Sequence, residues 1–132
     1  MPHLIAYIAA LVALGVLDFI WLGFIAKDLY RETIGHLLAP DVNWLGALGF
    51  YFLYPVGVVI FAVMPQVAAG DWMRAALMGG LFGLFCYATY DLSNLATLKG
   101  YPVKIALIDI GWGVFITAVS SGVSAYATQK LA

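Results

Sequence analysis

The chain is poor in the side chains from which soluble enzymes are built. Charged residues occupy 10% of its 132 positions, against about 25% in a typical soluble domain. The formal net charge is −1, which leaves neither a basic patch for nucleic acid nor an acidic tail. One cysteine, Cys86, excludes an internal disulfide and a CxxC redox pair. The two histidines, His3 and His36, lie outside the apolar runs, so a haem inside a helical bundle would lack axial ligands. No DxxD, HxxxH or EExxxR motif and no Ser-His arrangement is present, and the one glutamate, Glu32, lies outside the apolar runs. No cofactor and no metal site is expected.

Apolar side chains are abundant, at 64% of the chain. A domain this short keeps much of its surface exposed and cannot hide so much apolar material from water. Lipid is the expected solvent. Four apolar runs, at about residues 4–26, 44–68, 73–98 and 103–128, exceed the roughly 20 residues that a membrane span needs. The first has no basic flank before it, is long for a signal-peptide core and carries Asp18, so it reads as a retained helix.

The connections shape the fold. Residues 27–43 hold Tyr30, Ile34, Leu37 and Leu38 on one helical face, with Arg31, Glu32 and His36 elsewhere on the wheel. That pattern predicts a short amphipathic helix on the membrane surface, stopped near Pro40. The links Gly70-Asp71-Trp72 and Lys99-Gly100-Tyr101-Pro102 are tight turns. Short links imply one all-α domain over residues 1–132, an antiparallel up-down bundle of four transmembrane helices with a surface helix after the first. Trp44, Trp72, Tyr101 and Tyr126 suit interfacial belts. Gly79 and Gly83 form a GxxxG pair read as close helix packing, and Cys86 as a small core residue.

Lysine and arginine set the expected orientation. Lys27, Arg31, Lys99 and Lys104 flank one side, Arg74 and Lys130 the other. The richer side is expected in the cytoplasm, with both termini outside it, in the periplasm.

Three aspartates fall inside spans: Asp18, Asp91 and Asp109. Each costs about 2.5–3.5 kcal/mol at a helix centre on insertion scales. Helical rise puts Asp18 ~13 Å, Asp91 ~12 Å and Asp109 ~10 Å from boundaries on the same membrane side. Tyr51 falls at a similar ~10 Å on the second helix, with Tyr54 one turn deeper. Asn94 and Tyr87 share a face with Asp91, Trp21 lies three residues after Asp18, and Trp112 three after Asp109. Carboxyl groups this close in a low dielectric do not all stay ionised, and at least one is expected to hold a proton. Lys104 or Lys99 is placed to reach inward and neutralise another.

This layer is expected to form a binding or transport site for a small cationic or hydroxyl-bearing ligand, with protonation as a switch. Buried Asp, Tyr and Asn also serve to fix helix register, which is the competing reading. Two alternatives remain: a membrane enzyme acting on a lipid or isoprenoid substrate, or an accessory subunit of a larger membrane complex. Besides the bilayer, a homo-oligomer or a membrane-complex partner fits the small size, and no nucleic acid is expected.

The string Tyr87-Ala88-Thr89-Tyr90-Asp91-Leu92-Ser93-Asn94-Leu95-Ala96-Thr97-Leu98-Lys99-Gly100-Tyr101-Pro102, the segment Ile108-Asp109-Ile110-Gly111-Trp112-Gly113 and the segment Leu17-Asp18-Phe19-Ile20-Trp21-Leu22-Gly23-Phe24 resemble a bacterial family of four-helix membrane proteins, domain of unknown function 2177. The resemblance implies the fold and a bacterial inner-membrane location. It supplies no catalytic residue.

Overall fold

A computed structural model describes the whole chain, Met1–Ala132. Four long helices, α1 (Pro2–Ile25), α3 (Trp44–Val67), α4 (Trp72–Thr97) and α5 (Val103–Leu131), are each long and apolar enough to span a bilayer. A short helix, α2 (Lys27–Ile34), follows the first. The four form an antiparallel bundle with both termini at the end opposite α2. Large apolar side chains face outward along all four, among them Phe24 at 73% exposure and Leu45 at 86%. Such a belt is tolerable only in lipid.

Local chemistry sets the helix ends. Asn43 caps α3 by accepting from the Gly46 N–H at 3.2 Å, and Asp71 caps α4 by accepting from the Arg74 N–H at 2.9 Å. Gly70 and Gly100 supply the positive φ angles, 70° and 76°, at the two tight turns. Two helices carry a wide π turn: Trp21–Ile25 ends α1, and Val59–Val63 interrupts α3. In α3 the wide turn lies between Pro55 and Pro65, neither of which can donate to the preceding turn.

The closest pair is α4 and α5. Gly79 faces Thr117 and Ser121, and Gly83 faces Gly113 and Thr117, so tightly that an added Cβ would overlap the opposite helix. The GxxxG pair therefore works inside the chain as expected. Helix α1 packs on α5, where the Ser124 hydroxyl donates to the Ala6 carbonyl at 2.7 Å. Helix α3 approaches α4 and α5 through its second half, Val59–Val67, while its first half stands against α1.

Two apolar clusters result. One joins Ala6, Ala10, Val58, Val59, Val63, Ala75 and Ala125 at the termini end. The other joins Ile34, Tyr101, Ile105 and Ala106 under α2. Two details differ from expectation here. Leu37 and Leu38 stay exposed, because α2 gives way to a tight turn at Gly35–Leu37. Tyr101 is not in an interfacial belt: Gly100 turns the chain back, and the ring is buried against Ile105 and Ile34.

Candidate functional site

Between the two apolar clusters the bundle is polar and open. The first half of α3 stands away from α4 and α5, and a cavity of about 450 Å³ fills the space. Its wall is chiefly aromatic, drawn from Trp21, Phe50, Tyr51, Tyr54, Tyr87, Tyr90 and Trp112, with Tyr30 above. Its charged groups are two carboxyls, Asp18 from α1 and Asp109 from α5.

Each carboxyl is held by neutral donors. Tyr51 donates to Asp18 Oδ2, and the Trp112 indole N–H donates to Asp18 Oδ1 at 3.2 Å. Tyr30 donates to Asp109 Oδ1 at 2.6 Å and in turn accepts from the Trp21 indole at 3.2 Å. The two indoles lie face to face, their centroids 4.4 Å apart and their planes 6° from parallel. One stack thus ties the Asp18 group to the Asp109 group. Tyr54 pairs with Thr117 at 2.8 Å and stands edge-on to Tyr87 at 6.2 Å. Tyr87 in turn lies directly on Gly113, the one residue type that leaves room for its ring.

Asp91 sits behind this wall. It is fully buried, accepts from the Tyr101 hydroxyl at 2.9 Å and lies beside Asp109. Its second oxygen, Oδ2, has no hydrogen-bond partner. Burial, followed by the bond to a carboxylate, pushes the Tyr30 and Tyr101 hydroxyls well above the usual tyrosine range. Both therefore remain donors at any physiological pH.

Seven of the residues singled out from the sequence, Asp18, Trp21, Tyr51, Tyr54, Tyr87, Asp109 and Trp112, line this one cavity. Asp91 and Asn94 do not; Asn94 lies close to the Tyr101 hydroxyl instead. Helix rotation decides this, because Asp91 turns toward the α5 face that carries Asp109. Neither Lys99 nor Lys104 reaches inward: both are exposed, and the partners of the three aspartates are Tyr and Trp. Lys104 starts α5 on the outer side of the wheel, so the inward reach expected of it does not occur.

Tyr30, Phe50, Cys86 and Tyr90 around the cavity, and Tyr101 behind it, escape a reading by sequence pattern. Tyr30 counts as apolar by periodicity, yet its hydroxyl is the one polar tip on the apolar face of α2. Cys86 is half-buried and lines the cavity beside Tyr54, in place of the core position expected of it. Its neighbours Tyr87 and Tyr90 are the available signal, since all three lie within about one turn of α4.

No three histidine, cysteine or acidic side chains gather in one place. The geometry offers instead two carboxyls at the edge of an aromatic chamber, arranged to hold a positive charge or a hydrogen-bond donor.

No curated protein and no solved structure matches the chain. The family model described as a predicted membrane protein, DUF2177, matches residues 3–126. This four-helix membrane protein belongs to that family.

Proposed function

We propose that the protein binds, and in doing so carries or presents, a small cationic or hydroxyl-bearing ligand within the membrane. One observation carries the reading: Asp18 and Asp109 both border the aromatic cavity of about 450 Å³, and only neutral donors hold them. Aromatic faces attract cations by about 0.5–2 kcal/mol each. A cationic ligand would give these carboxyls the opposite charge that their neutral donors do not supply. Tyr30 and Trp21 fix the position of Asp109, while Tyr51 and Trp112 fix that of Asp18.

A purely structural role for the carboxyls would need no cavity between them. That is the observation which favours binding over helix registry.

The test is a pair of native mass spectra, wild type and Asp109→Asn, recorded in the same mild detergent. A reproducible added mass on wild type, lost in the variant, is the expected result. Bare protein in both, with the variant merely easier to unfold by heat, would overturn the proposal in favour of the structural role.

A further inference from the structure

The Asp18–Tyr51 pair has a second space on its other side. A groove of about 420 Å³ runs along the outer face of α1, lined by Gly15, Asp18, Phe19, Leu22, Gly23 and Tyr51. Asp18, Leu22 and Tyr51 border both this groove and the inner cavity, so they form the partition between them.

The groove opens to the bilayer. Phe19 and Leu22 on its rim are 67% and 46% exposed, on a segment that lies among lipid chains. Gly15 and Gly23 give it depth, for a Cβ built at either meets no atom within 4 Å. They stand eight residues apart, about 12 Å of helical rise. The groove is therefore chiefly apolar and about as long as a short alkyl chain. Its one charged group is Asp18, which is only 7% exposed. The donors on that carboxyl are a phenol and an indole, and no lysine or arginine competes for it.

We propose that the ligand is a single-chain amphiphile with a protonated amine head, a class that deepens the binding reading above and rests on it. The chain lies in the groove over Gly15 and Gly23. The ammonium displaces the Tyr51 hydroxyl from Asp18, the partition parts, and the head enters the inner cavity. There the rings of Trp21, Trp112 and Tyr54 surround it and Asp109 offers a second carboxyl. A neutral alcohol head would gain one hydrogen bond from Asp18 but none of the charge pairing. Entry from the side also fits the backbone of the first half of α3, which carries Tyr51 and lies closer to α1 than to α4 or α5.

The experiment uses the full chain in mild detergent and three probes, dodecylamine, butylamine and dodecanol, read as adducts by native mass spectrometry. Wild type should retain dodecylamine at least about tenfold more tightly than butylamine, and should not retain dodecanol. Gly15→Leu, which fills the groove where there is room for the side chain, should weaken dodecylamine about tenfold and leave butylamine unchanged. Asp18→Asn should lose both amines by about tenfold or more. Dodecylamine held equally by wild type and Gly15→Leu would overturn the groove, and dodecanol held as firmly as dodecylamine would overturn the cationic head. Either result, with an adduct still dependent on Asp109, leaves the binding reading in place. No adduct of any kind on wild type would remove both.

Discussion

Tyr30, on the short helix outside the four spans, donates a 2.6 Å hydrogen bond to Asp109 in α5, 79 residues away along the chain. The bond makes α2 the roof of the cavity rather than a loose surface element. Ile34, one turn on, is buried against Tyr101, Ile105 and Ala106 and holds the same roof from its apolar side. A helix of eight residues is too short to persist alone in water, so these two anchors account for its order.

Tyr30→Phe removes the hydroxyl and leaves Asp109 one donor short. The expected cost is about 1 kcal/mol, rising toward about 3 where the stranded carboxyl finds no substitute. Amide hydrogen exchange should accelerate across Lys27–Ile34 and much less elsewhere. Equal protection of α2 in both proteins would count against the anchoring role.

The same bond has a pH signature. The Tyr30 and Tyr101 hydroxyls are raised by burial and then by their carboxylate partners. Unfolded tyrosine ionises at about pH 10. The unfolded chain therefore loses protons above that point while the folded chain keeps them, and stability falls as pH rises. The contribution is fully present below about pH 10 and lost progressively above it. Thermal stability in detergent should decline on the alkaline side, and Tyr30→Phe with Tyr101→Phe should flatten that decline.

Gly113→Ala places a methyl group where the Tyr87 ring lies. The expected penalty is about 1–3 kcal/mol, the usual range for overpacking. Gly15→Ala is the matched control, because its new Cβ meets nothing and alanine favours a helix by about 1 kcal/mol over glycine. Melting curves of both in detergent should move in opposite directions.

The depth of the polar layer can be counted from the sequence because helical rise is fixed. Asp18, Tyr51 and Asp109 each lie a known number of residues from a boundary of their span, and that arithmetic alone brings them to one level. Rotation about each helix axis is not countable. It decides that Asp91 turns away from the cavity toward Asp109 and that Lys104 faces outward. Turn geometry is equally hidden: Tyr101 reads as a belt residue until the positive φ of Gly100 folds it back over Asp91. The half-open α3 comes from its wide turn and two prolines, whose combined effect on packing no periodicity encodes.

Asp91 is fully buried, with one oxygen bonded to Tyr101 and the other without a partner, beside Asp109. A buried oxygen without a partner carries a desolvation cost that a hydrogen-bond donor at the same point would not. An asparagine in place of Asp91 would supply a permanent N–H at the same point. Asp91→Asn should therefore change stability by less than about 1 kcal/mol, whereas Asp91→Ala should cost about 2–4 kcal/mol through lost volume and a stranded Tyr101 hydroxyl. A large loss for Asp91→Asn, equal to that for Asp91→Ala, would mean that the pair depends on its charge.

The roof over the cavity should face the cytoplasm. Lys27, Arg31, Lys99 and Lys104 lie at the α2 end, and Arg74 and Lys130 at the other. Positive residues in short flanking segments are retained on the cytoplasmic side. In a Cys86→Ser background, Glu32→Cys and Asp71→Cys place one thiol at each end. A membrane-impermeant maleimide added to intact cells should label Asp71→Cys and leave Glu32→Cys unlabelled until the membrane is opened. The reverse pattern would put the roof outside. A cation attracted to the site would then approach from the non-cytoplasmic leaflet, which alters the direction of any transport and not the chemistry of the cavity.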